Sequence, residues 1–264
     1  MDELIKMFTD NGVSEGVAIA YIVVSVLIVI MAIVALVLRI IVAIRYFKGN
    51  RTPISSNQDS FSVARDMLNR IGLDYVNVKR AGFFRTIFFG NSYSPRKKTI
   101  YLRRNISERN SLTAVSVAIQ KVGLANLCEN GNATAIARSR FEVLNLVGPI
   151  LFVPVVLLGF IVDLIIFQTI GTFSIVSIVV GTLFVLSGFI STLLTLPVEG
   201  MANKKALELI EETGILNEEE TAIVKKIYSA YIMAYLADFI IAILRIVQMI
   251  LEIIIKMQMN KNRN

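Results

Sequence analysis

The sequence predicts an α-helical membrane protein with about four transmembrane helices and a small α+β domain carried between them. Of 264 residues, 55% are hydrophobic and the mean hydropathy is +0.67, whereas a soluble domain is apolar over about 45–50% of its length even when glycine is counted. The apolar residues gather in four runs, Val17 to Leu38, Leu146 to Ile170, Ser174 to Leu196 and Ile227 to Ile255. Each run is long enough for the roughly 20 residues that span a hydrocarbon core. Between the first two runs the chain turns polar and basic. The predicted order is an N-terminal transmembrane anchor (1–49), a basic cytoplasmic domain (50–145), a transmembrane hairpin (146–198), a cytoplasmic helical segment (199–226) and a C-terminal transmembrane or interfacial helix (227–264).

The start of the chain, Met1-Asp-Glu-Leu-Ile-Lys, is acidic where a cleavable leader is basic, and its apolar run is too long for one, so the first span is expected to stay as an anchor. Asp2, Glu3, Asp10 and Glu15 precede that span, and Arg39, Arg45, Lys48 and Arg51 follow it. By the positive-inside bias this puts the N-terminus outside and the basic domain in the cytoplasm of a multi-pass cell-membrane protein. Most of the net charge of +7 arises in that domain.

Within it, Arg51 to Asp59 reads as a Pro53-bearing linker ending in a helix cap at Asp59 or Ser60. Val63, Ala64, Met67, Leu68 and Ile71 then recur at helical spacing up to Gly72. Tyr75 to Lys79 and Thr99 to Leu102 read as short strands. Phe83 to Phe89 fits a third strand, with an aromatic loop dipping into the membrane interface as the alternative. Arg96, Lys97 and Lys98 form the tip of a Pro95-bearing turn. They are either a solvated basic tip or a membrane-surface contact, since cytoplasmic cations gain roughly 1 kcal/mol each near anionic headgroups. No reading motif accompanies the charge, so nucleic acid is not expected as a partner.

A central helix is expected to start near Ser107 and to be buried through Val115, Ala118, Ile119, Val122, Ala125 and Leu127. Gln120, Leu124 and Cys128 recur every four residues along one stripe of it, with Lys121 alongside. Asn130-Gly-Asn132 ends that helix, and Arg138 and Arg140 stand at the mouth of the second span, where Pro149 and Pro154 suggest a kink. Asp163, deep in the span, should snorkel outward or meet a partner. Thr213-Gly214 and Asn217 mark a helix stop and restart, and Asp238, Arg245 and Glu252 form a charged stripe on the last helix.

Several of these segments resemble, in order, the bacterial membrane-embedded neutral zinc metallopeptidases. Val117-Ala-Ile-Gln-Lys-Val-Gly-Leu-Ala125 is similar to their Ala-x-x-x-His-Glu-Val-Gly-His-Ala helix. Asn91-Ser-Tyr-Ser-Pro95 is similar to their Asp-His-Tyr-Asp-Pro segment, and Leu196-Pro-Val-Glu199 to their Leu-Pro-Val-Glu. The resemblance implies a zincin-like cytoplasmic domain, whose cleft is completed by 199–226. It also implies that Gln120, Leu124 and Glu199 stand where three zinc ligands would, and Lys121 where the general base would. Ligands four apart on a helix converge on one metal, yet here only Glu199 is of a ligating type. The chain holds no histidine and one cysteine. The resemblance therefore points to a degenerate member without the His-Glu-x-x-His motif: no cofactor, no catalytic residue and no metal ligand set.

The function expected is that of a pseudoenzyme acting by protein binding or regulation, with a protein partner or an active homologue besides the lipid bilayer. An active membrane metallopeptidase with unusual ligands is the first alternative, and a transport or channel component, motivated by Asp163, Asp238 and Arg245, the second. If the family frame is kept, Glu199 should be tied by an ion pair to Lys121 or a hydrogen bond from Gln120. Otherwise it caps a helix or faces solvent.

Overall fold

The computed structural model describes residues 2–168 and 171–261, apart from the side chains of 141–149, 192 and 261. Pro149, one of the two residues expected to kink the second span, thus lies outside the described side chains. The described chain is mostly helical. Its elements are α1 (Asp2–Thr9), α2 (Glu15–Asn50), α3 (Ser60–Arg70), β1 (Asn77–Arg80), α4 (Phe83–Phe88), β2 (Ser92–Ser94), β3 (Thr99–Leu102), α5 (Arg104–Ser107), α6 (Leu112–Glu129), α7 (Ala133–Val162), α8 (Thr172–Thr213) and α9 (Glu218–Lys261). Three helical stretches are long and apolar enough to cross a membrane: Glu15–Asn50, Ile150–Phe167 and Thr172–Thr213. The expected fourth span falls within α9, which is not one of these three.

The chain divides into two compact units, Met1–Ile41 with Met233–Asn264, and Val42–Ile232. In the first, the charged stripe of α9 finds partners on α2. Asp238 pairs with Arg39 at 2.9 Å, and Glu252 accepts a hydrogen bond from the Tyr21 hydroxyl at 3.3 Å. Arg245 instead donates to Gln248 on its own helix. Val13, Ala18 and Ile255 form a small core at one end.

The second unit is built around α6. Its sequence is apolar on all sides, the pattern of a helix enclosed by other elements, and only Val117, Leu127 and Glu129 escape burial. It begins later than the expected Ser107. Ser107 ends the short α5, and Ser111 caps α6 by accepting a hydrogen bond from the Ala114 amide. Around α6 lie α3, capped by Asp59 as expected, the sheet, and α8. The sheet has the order β1-β3-β2, with β1 parallel and β2 antiparallel to β3. Residues 51–59 are docked rather than loose: Pro53 bridges to Ser111, and Ser55 donates twice to Glu220.

Phe83 to Phe88 is a helix, not the third strand. Its apolar residues 83, 84, 87 and 88 are spaced i, i+1, i+4 and i+5, which is helical rather than alternating, and Thr86 and Phe89 close i−4 bonds to Gly82 and Arg85. The third strand is β2, in the segment expected to be part of a turn. In the α7–α8 hairpin Asp163 directly follows α7, in a wider helical turn that runs to Phe167. This buried carboxylate meets its partner in the start of α8, accepting hydrogen bonds from the Gly171, Phe173 and Ser174 amides and from the Ser174 hydroxyl at 2.6–3.3 Å. It caps the helix at the point where four amides lack intrahelical partners.

Candidate functional site

The candidate site lies within the second unit, where α6, α7 and α8 meet. Gly123 sets the spacing of two of these helices. A Cβ added there would come within 2.6 Å of the Ala202 carbonyl and 3.0 Å of the Ala206 amide nitrogen, so only glycine permits this approach of α6 to α8. The close approach brings Gln120 and Lys121 of α6 to Glu199 of α8. The Gln120 Nε2 donates a short hydrogen bond to Glu199 Oε2, and Lys121 Nζ lies 3.9 Å from Glu199 Oε1. Both contacts expected of Glu199 are thus formed.

A second cation joins them. Arg138 of α7 donates from Nη2 to the same Glu199 Oε1 at 3.3 Å. The glutamate side chain is only 5% exposed, and a carboxylate so far from water requires charge or hydrogen bonds from its surroundings. Here two cations and an amide surround it. Sequence reasoning missed Arg138, which reads there only as one of the cations at the mouth of a span. Nothing local marks it as a partner for a residue of another helix.

The other positions read from the sequence separate. Leu124 is buried in the core formed around α6. Cys128 at the end of the stripe faces Ser139, and burial pushes its thiol up to about 11, so it remains protonated at neutral pH. Ser92 is buried and accepts a hydrogen bond from Arg85. Beside it Tyr93 donates to Glu129 at 2.5 Å, joined by the Tyr75 hydroxyl at 3.1 Å and the Lys98 ammonium at 3.3 Å. Burial draws the Glu129 carboxyl upward, but these three donors outweigh it and hold it below the usual carboxylate range. Lys98 is therefore engaged at the foot of the sheet, while Arg96 and Lys97 are exposed.

Residues 24–254 match the profile of a family described as "Putative neutral zinc metallopeptidase". The chain belongs to this family. It is also 26% identical over 208 residues, 77% of this chain and 84% of the relative, to the "Putative membrane protease YugP" of Bacillus subtilis (strain 168). No solved structure matches the chain significantly.

The metal implied by the family's name does not suit the residues of this site. Zinc takes deprotonated thiolate, imidazole or carboxylate donors. The site offers one carboxylate, already bound by two cations, and one amide. Among the described residues no group of three or more His, Cys, Asp or Glu side chains could hold a metal. A divalent cation entering here would meet Lys121 and Arg138 before it met a second ligand.

Proposed function

We propose that this chain is a catalytically silent member of its family, a membrane protein that acts by binding protein at the cleft its active relatives would use for hydrolysis. The observation that carries this reading is the tie at Glu199. Zinc would bring two positive charges to that carboxylate, and Lys121 and Arg138 supply the same number from the protein. The frame can then stay folded without metal, because the buried glutamate is neutralised by side chains. The general-base position carries a cation, and the Gln120 amide is spent on the same carboxylate.

The orientation proposed with it puts 50–145 and 199–226 in the cytoplasm, supported by the cations that follow the first apolar run. Labelling of a cysteine at position 97, in a chain with Cys128 replaced, tests this: labelling from outside alone overturns it.

The function is tested on the full chain purified in detergent from metal-depleted buffer. Elemental analysis should find no stoichiometric zinc, and casein should remain intact. One tightly bound zinc per chain, or cleavage abolished by Glu199→Gln, overturns the reading in favour of an active peptidase with unusual ligands. Pull-down from native membranes, compared between the natural chain and a variant with a blocked cleft, then identifies the bound protein.

A further inference from the structure

Helix α4 is built inside out for a helix on a water-soluble surface. Phe83, Phe84, Ile87 and Phe88 point outward, with Phe83 and Phe84 74% and 73% exposed. The polar residues point inward. Arg85 lies 3.6 Å above the Tyr101 ring and donates to Ser92, and the Thr86 hydroxyl donates to the Ala81 carbonyl. Between residues 51 and 132, four of the five large exposed apolar side chains are these four, the fifth being Tyr75. Such a concentrated apolar patch marks a surface that meets something other than water.

The position of α4 says what it meets. It links the end of β1 to the start of β2, so it stands at the Tyr101–Leu102 end of β3, opposite the Arg96–Lys98 tip. Gly90, just past α4, packs against the Arg103 guanidinium. From Arg103 the chain runs through α5 to α6, where the Thr113 hydroxyl donates at 2.7 Å to the carbonyl of Tyr46 in α2, two residues past the last aliphatic side chain of that helix, Ile44. This end of the sheet is therefore joined, within the second unit, to the polar last turns of α2, Arg45 to Asn50, which follow its apolar stretch in the sequence. The charge matches an anionic headgroup layer. Apart from the Arg96–Lys98 tip, residues 79–109 contain six cations and one acid, Glu108, which is already shared by Arg80 and Arg104.

We infer that α4 is an interfacial membrane wedge: its Phe and Ile side chains enter the headgroup–acyl boundary of the bilayer and lay the α4 end of the sheet against it. Aromatic and aliphatic side chains above a basic surface are the composition of helices that lie in this boundary, some 5–10 Å deep. The wedge fixes one end of the domain independently of the spanning helices. The Arg96–Lys98 tip, at the far end of the β2–β3 ladder, is held away from the bilayer.

The chain contains no tryptophan, so one introduced residue reports alone. Phe84→Trp, and separately Phe88→Trp, is reconstituted as the full chain in vesicles of phosphatidylcholine and phosphatidylglycerol, with Glu219→Trp as the water-exposed reference. The wedge predicts blue-shifted emission at 84 and 88, several-fold weaker quenching by acrylamide than at 219, and strong quenching when the phosphatidylcholine is brominated in its acyl chains. Emission and acrylamide quenching equal to those at 219 overturn the proposal. So does protection from acrylamide without quenching by bromine, which would mean that protein, not lipid, covers α4.

Discussion

Arg138 and Glu199 are held together at 3.3 Å in a site almost closed to water, although one stands at the foot of α7 and the other inside α8. With Lys121 at 3.9 Å on the same oxygen and Gln120 on the other, the carboxylate is also held from a third helix, α6. Breaking a buried pair by removing one partner costs about 3–5 kcal/mol because the other charge stays behind. Arg138→Met should therefore destabilise the protein by roughly 3 kcal/mol, and Lys121→Met by less, since its distance is at the limit of an ion pair. Thermal midpoints in one detergent, combined in double-mutant cycles with Glu199→Gln, should show coupling of about 1 kcal/mol or more for the arginine. Strict additivity would show that the pair contributes no coupling.

Gly123 should not tolerate even one methyl group. A Cβ there meets backbone atoms of α8, which cannot swing aside as a flexible side chain can, so Gly123→Ala should cost about 1–3 kcal/mol by overpacking. Gly16→Ala, on an exposed helical position with nothing within 4 Å, should instead be neutral or stabilising by up to about 1 kcal/mol. Equal midpoints for the two variants would contradict the close approach.

The clasp at Glu129 predicts a pH dependence. The folded carboxyl titrates below its unfolded counterpart, so its contribution is complete above the unfolded glutamate pKa of about 4.3 and is lost as pH falls through the lower, folded value. Tyr93→Phe removes the shortest donor and should cost about 1.5–3 kcal/mol at neutral pH, the range for hydrogen bonds to charged groups. It should also flatten the loss of stability below pH ~4 relative to the natural chain. An unchanged acid limb in a pH series of melting curves would remove Glu129 as its source.

Asp163 should be needed for the hairpin rather than for ion passage. Asp163→Ala strips the cap from α8 and should cost about 0.5–2 kcal/mol, with faster hydrogen exchange at the Gly171, Phe173 and Ser174 amides. Unaltered exchange at those amides would mean that the cap does not hold the turn.

Three apolar spans, the buried central helix and the strand Thr99 to Leu102 could be read from the chain because each depends on composition or periodicity within one short segment. So could the residue types at 120, 121 and 124, since side chains at helical spacing are visible without coordinates. Phe83 to Phe88 reads as a strand by its aromatic composition, but its i, i+1, i+4, i+5 spacing favours the helix that forms. β2 was hidden because three residues carry no periodicity, and they became a strand only by pairing with β3. Arg138 is the clearest case of what lay beyond sequence reading. Its role exists only once α7, α6 and α8 pack together, and a buried carboxylate then draws on whichever cations that packing brings within reach. Charge pairing across helices depends on distances that no local pattern encodes.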